Sequence, residues 1–327
     1  MDHSLQTLIP DSVVWDNHAC MPLRPNDLGF LPQLERVRRA GINVMVLNVA
    51  FGEHYSHVAL PMLETFRDWL SARPAEYVLV QNVADIEAAR VSGRLGICFD
   101  IEGMDALGGD LSRVRTFYDL GVRWMLGAYN RPNAAGGGCL VEDGGLTAFG
   151  RQVVAQMNEV GMVVCGTHCG YRTAREMIDM SAHPVIFSHS NPRALWDHPR
   201  NIPDDLMKAC AARGGVIGIN GIGFFLGHND ASTATYVKHL EYALDLVGDD
   251  HVGIALDYVF DITELDELIA SDPATFPPHL FSGGVSMVEP WRLPEVAQTL
   301  AVRGHSRTTL QKLFGGNHLR IAKQVWR

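Results

Sequence analysis

Five side chains able to hold a cation, His18, Cys20, Glu102, His168 and His189, fall at or just after short apolar runs of the chain. Three imidazoles, a carboxylate and a thiol are the donor types of a zinc site. A lone histidine is more often structural than ligating, so the weight lies in the convergence of several at comparable places. Residues two apart in an extended segment share a face, which lets His18 and Cys20 grip one ion together. Cys165 and Cys169 are expected to point away from His168, and Cys98 and Cys210 to belong to the core. Asp16 either caps a loop or supports His18, and His198, beside Pro199, is expected to be exposed. Tyr129, Asn130 and Asp257 also follow apolar runs, while Phe224 and Phe225 line a pocket or pack, with packing favoured.

Eight short apolar runs carry these residues: 13–15, 42–49, 95–101, 123–128, 162–167, 184–188, 215–220 and 252–256. Amphipathic stretches at 147–159, 173–180 and 203–213 alternate with them, as βα units require. Asn201 reads as the N-cap of the last of these stretches, with Pro203, Asp204 and Asp205 in its first turn and Gly214 ending it. Continuously apolar strands belong to a parallel sheet covered on both faces, and eight of them favour a closed (β/α)8 TIM barrel over an open sheet. In such a barrel the chemistry gathers at the C-terminal mouth, where these polar residues fall. The chain reads as one domain over 1–327, with a long excursion at about 260–292 and closing helices over 294–326. No glycine-rich phosphate loop follows any strand.

The 327 residues include 27 Lys and Arg against 37 Asp and Glu, a net charge of −10. That balance, with no basic cluster, argues against nucleic acid and anionic membrane surfaces as partners. Residues 1–18 show neither a basic start nor an unbroken apolar segment, so the expectation is a cytoplasmic protein without leader or anchor. Six cysteines without CxxC pairs read as reduced thiols.

The motifs, in their order, resemble the membrane (renal) dipeptidase family of zinc metallopeptidases, amidohydrolase-like barrels. The resemblance is carried by PVIFSHSNPRALWDHPRNIPDDLMKACAARGGVIGIN at 184–220, IEG at 101–103, GGLTAFGRQVVAQMNEVGM at 144–162 and GGNHLRIAKQVW near the end. It implies that Glu102 bridges two zinc ions, that His168 and His189 complete one shell, and that His18 binds the other ion. It further implies that Arg200 clamps a substrate's terminal carboxylate and that Asp257 handles the proton. A homodimer is also implied. The roles are chemically consistent: a guanidinium offers a bidentate fork to a carboxylate, and paired cations acidify water.

The chain departs from the family pattern at several points. His-x-Asp at the first strand becomes His18-Ala19-Cys20, so either a thiolate completes that site or the site stays empty and a single ion remains. Tyr129 stands where many relatives have a histidine that contacts the tetrahedral intermediate, and a phenol still donates to an oxyanion. The segment ending in His168 reads Cys-Gly-Thr-His, and Val259 replaces the second acid of the family's DFDG. The expected activity is hydrolysis of a small-molecule substrate, a dipeptide with a free C-terminal carboxylate and room for a D-residue there, using one or two zinc ions. Two alternatives stand beside it: a hydrolase of a non-peptide amide, lactone or N-acyl compound, and a metal-impaired relative that binds a small ligand.

Overall fold

The computed structural model describes residues 5–53 and 56–327; the first four residues of the N-terminal segment lie outside them. Among the described residues nine strands are formed: β1 (Trp15–Cys20), β2 (Val44–Phe51), β3 (Tyr77–Leu79), β4 (Leu95–Glu102), β5 (Val122–Leu126), β6 (Val163–Cys165), β7 (Ile217–Ile219), β8 (Val252–Ile254) and β9 (Tyr258–Val259). All pairings between them are parallel. The order β6-β5-β4-β2-β1-β9 makes one sheet, with β3 paired to β4, and β7-β8 makes a second. Single bridges join the two, Cys165 to Ile186 and Phe187 to Ile217. On the other side β8 turns at Asp257 into β9, which pairs with β1, so the ring of strands closes.

This is the α/β barrel expected from the eight apolar runs, with differences that have physical reasons. The first strand lies later than 13–15, and His18 and Cys20 stand within it rather than after it. The sixth run, 184–188, contributes only isolated bridges at Ile186 and Phe187. Its neighbours satisfy it on both sides: the Ile186 amide donates to Val164 and its carbonyl accepts from Gly166, and the Phe187 amide donates to Val216 and its carbonyl accepts from Gly218. The strand β3 was not expected, since its three residues offer no alternation to read.

Helices Ala148–Val160, Tyr171–Met180 and Asp204–Ala212 match the expected amphipathic stretches to within two residues at each end. The N-cap of the last is Pro203, not Asn201. Asn201 is spent elsewhere: its amide donates to the carbonyls of Trp196 and Phe225, both at 2.9 Å. The excursion holds a helix, Ile262–Ser271, capped by Asp261. The C-terminal part forms helices Leu293–Val302, Arg307–Gln311 and Asn317–Val325. The last lies against β8, where Gly253 is required: a Cβ there would stand 2.3 Å from His318 Nε2.

Candidate active site

The strands, or the segments that directly follow them, bring polar side chains to the same end of the ring. From β1 come His18 and Cys20, and from β4 Asp100 and Glu102, two residues apart and therefore on one face. Tyr129 and Asn130 follow β5, His168 follows β6, and His189 follows the bridge residues 186–187. Asn220 follows β7, and Asp257 lies between β8 and β9. Asn130, His168 and Asp257 have φ values of 58°, 63° and 57°. Left-handed backbone is uncommon for residues other than glycine, and here it turns the chain out of the strand at three points of one site.

Glu102 is the hub. Its Oε1 lies 3.4 Å from His18 Nε2, 3.5 Å from His168 Nε2 and 3.1 Å from His189 Nε2, and it is buried without a hydrogen-bond partner. The Nε2 atoms of His168 and His189 are themselves 3.1 Å apart. The other ring nitrogens are engaged from outside: His18 Nδ1 by Asp100 at 3.0 Å, His168 Nδ1 by Asn130 Oδ1 at 2.7 Å, His189 Nδ1 by Ser188 Oγ at 2.9 Å. Acceptors on the Nδ1 side of His18 and His168 hold a proton there and aim the Nε2 atoms inward, the arrangement that metal-ligating histidines need.

Burial, reinforced by the charge of neighbouring groups, holds the His168 and His189 pKa values well below 6.5, so both rings are neutral and able to ligate. Burial also presses on His18, but Asp100, Cys20 and Glu102 outweigh it and hold its pKa well above 6.5. Burial raises the Glu102 carboxyl to about 8 against the pull of His18. An orphaned buried oxygen among inward lone pairs is what a cation would satisfy, and cation binding restores the carboxylate. The residues therefore fit a metal centre.

Two overlapping groups have ligand atoms close enough to share an ion: Glu102, His168 and His189, and His18, His189 and Asp257. The second includes Asp257, whose Oδ1 is 3.3 Å from His18 Nε2. Cys20 Sγ sits beside it, 3.5 Å from His18 Nε2 and 3.8 Å from Asp257 Oδ1. Burial pushes the Cys20 thiol up to about 12. It would ligate as a thiolate only where a cation displaces its proton.

Above the cluster opens a pocket, the concave kind of place in which small molecules bind. Cys20, Glu102, Tyr129, His168, Arg200 and Asp257 all line it. Arg200 is buried, donates to the His189 carbonyl at 3.2 Å, and packs over Phe225 with its Nε unpartnered. Among the described residues no carboxylate forms an ion pair with it. Tyr129 stacks on His168 with ring centroids 4.1 Å apart, and burial holds its pKa well above 10, so the phenol keeps its proton.

The support for His18 comes from Asp100, not Asp16. Asp16 Oδ1 accepts from the Leu256 amide at 2.8 Å, which ties β1 to the segment between β8 and β9. His198 is buried, not exposed: the Arg200 amide donates to its Nδ1 at 3.1 Å and its ring packs edge-on to Phe225 and Phe281. Phe224 and Phe225 pack and line the pocket at once. Cys165 and Cys169 stay outside the cluster, bonded to Ser188 and to Ala128. Asn220, which holds Asp257 Oδ2 at 2.7 Å, and Asn48, which holds Asp100 Oδ1 at 2.8 Å, were not singled out in the sequence. Alternation along β2 and β4 could have revealed Asn48 and Asp100, which are direct partners in the ladder.

Comparison with known proteins bears on this site. The family model described as "Membrane dipeptidase (Peptidase family M19)" matches residues 26–271. A Klebsiella pneumoniae protein described only by its place in the pqqA 5' region is 31% identical over 260 residues, 76% of this chain and 89% of that one. "Dipeptidase aclJ" of Aspergillus oryzae is 30% identical over 272 residues, 81% of this chain. This chain spans 58% of that protein's length. The crystal structure of an amidohydrolase from Pseudomonas aeruginosa superposes with a TM-score of 0.90 at 27% identity, over 99% of each chain. No helix among the described residues is long and apolar enough to cross a membrane. With the family's model covering most of the chain and a barrel whose mouth gathers a metal-type cluster, this chain belongs to the membrane dipeptidase family and is a hydrolase.

Proposed function

We propose that the chain is a zinc-dependent dipeptidase acting on a dipeptide with a free C-terminal carboxylate. The observation that carries the substrate class is Arg200, a buried guanidinium without a carboxylate partner, in the same pocket as the Glu102 cluster. A buried cation of this kind is strongly favoured by an incoming carboxylate, which its planar fork binds bidentately.

Glu102, His168 and His189 would hold one ion, and His18 with Glu102 and either Cys20 or Asp257 a second. Zinc suits this mixture of imidazole, carboxylate and thiol, and when bound it acidifies water and polarises a carbonyl. The chain's own side chains do the rest. Arg200 anchors the carboxylate end, placing the scissile amide over the cluster. Asp257, oriented by Asn220, accepts a proton as a water oxygen adds to the amide carbon. The Tyr129 hydroxyl donates to the oxyanion that forms on the former carbonyl oxygen. The C–N bond then breaks as Asp257 returns the proton to the departing amine.

Replacing Arg200 with Ala tests the reading. KM for a dipeptide should rise about a hundredfold, while KM for the same peptide with an amidated C-terminus changes little. Equal losses on both substrates would remove the clamp and with it the dipeptide assignment. A panel with L- and D-residues at the C-terminal position defines the stereochemistry accepted there.

A further inference from the structure

Besides the polar cluster and Arg200, the pocket has an apolar lining. Met21 and Leu23 follow β1, Val259 belongs to β9, and all three line the pocket next to Cys20. The helix Ile262–Ser271 of the excursion lines the same pocket, and none of its ten residues is fully buried. Its face toward the pocket carries Leu265, Leu268 and Ile269, all half-buried, while Thr263, Asp266 and Glu267 point to solvent. Three aliphatic side chains on one face, with no protein packed to cover them completely, leave apolar surface for a ligand to take from water.

The helix is held in place there. Arg24, from the loop after β1, reaches Asp261 at 3.1 Å and Glu264 at 3.0 Å, gripping the helix at its cap and first turn. The Glu264 carboxylate, the one acidic group of the helix that faces the pocket, is thereby occupied by a protein cation and is not offered to a cationic substrate side chain. Midway along the excursion, Phe276 packs edge-on to Tyr129 and to Phe281, and Thr275 O accepts from Asn130.

We infer that the Leu265–Leu268–Ile269 face of this helix is the specificity wall for the N-terminal residue of the substrate, and that it selects dipeptides with a bulky apolar residue, such as Leu or Phe, at that position. The inference rests on the dipeptidase reading for the direction of the substrate. With its carboxylate on Arg200 and its scissile amide over Glu102, the substrate has its N-terminal residue left to meet the remaining lining of the same pocket, to which this helix and the residues after β1 and in β9 contribute. The wall carries no free charge to receive a lysine or an aspartate, and glycine would leave it uncovered.

The test uses the zinc-loaded full chain with Leu-Ala, Phe-Ala, Gly-Ala, Lys-Ala and Asp-Ala. The expected kcat/KM for Leu-Ala and Phe-Ala exceeds that for Gly-Ala and both charged peptides by at least about tenfold. In the double variant Leu265→Ser, Leu268→Ser the ratio of Leu-Ala to Gly-Ala should fall about tenfold, through KM. A flat or charge-favouring profile overturns the inference while leaving the dipeptidase reading intact. Should no peptide be cleaved, calorimetric binding of the Leu-Ala and Gly-Ala phosphinate mimics decides the matter separately. A preference of about tenfold for the leucine mimic that the variant loses upholds the apolar wall though the reaction assignment has failed; equal or absent binding overturns it.

Discussion

Asp100 Oδ2 lies 3.0 Å from His18 Nδ1, both residues fully buried, while the other Asp100 oxygen is held by Asn48. This contact holds the proton on His18 Nδ1 and aims its Nε2 at Glu102. Asp100→Ala should lower zinc affinity about 10–100-fold without removing a ligand. Competition with a chromophoric chelator reads this directly, and an unchanged affinity would show that His18 needs no such support.

Cys20 stands within 4 Å of both His18 Nε2 and Asp257 Oδ1, close enough to complete a second ion's shell once deprotonated. Metal counts on protein purified without added zinc distinguish the two readings. Two ions in the natural chain and in Cys20→Asp mean that the thiolate ligates; one ion rising to two means that the cysteine leaves that position vacant.

Tyr129 lies over His168 with its proton retained by burial. Tyr129→Phe keeps the stacked ring and removes only the donor. The expected result is a fall in kcat of about a hundredfold with KM nearly unchanged, the pattern of an interaction made only in the transition state. A rise in KM alone would place the hydroxyl in ground-state binding.

His318 is buried beneath β8, its Nε2 bonded to the Ile254 carbonyl at 3.1 Å, and burial lowers its pKa from 6.5 to about 4. The unfolded chain binds a proton near pH 6.5 and the folded one only near pH 4. Its contribution is therefore complete above pH 6.5 and disappears as pH falls toward 4. The loss is on the order of 3 kcal/mol for a shift of this size. Urea melts of metal-free protein at pH 7 and pH 5 read about 2 kcal/mol of it, and His318→Gln should flatten the dependence.

The side chains that gather at the mouth were legible in the sequence because each sits where an apolar run gives way to polar residues, and the barrel follows from the number of such runs. The supporting shell was not. Asp100 and Asn48 lie inside runs read as strand interior, and their pairing across the β2–β4 ladder exists only once the register is set. His198 looked exposed because local sequence places it between Asp197 and Pro199, whereas Phe225 and Phe281, from distant segments, cover it. Asn201 was read as a cap from its neighbours, but two carbonyls from other turns compete successfully for its amide. The helix at 262–271 was hidden within an excursion rich in glycine, proline and acidic residues.

Asn130, His168 and Asp257 adopt left-handed backbone, a conformation that glycine would take with less cost, yet each carries a side chain the cluster uses. A search for hardier variants would be drawn to glycine at these three positions, and would gain an easier turn while emptying the mouth of the barrel. Durability and turnover thus pull the same residues in opposite directions, and thermal selection without an activity screen should be expected to erode this protein there first.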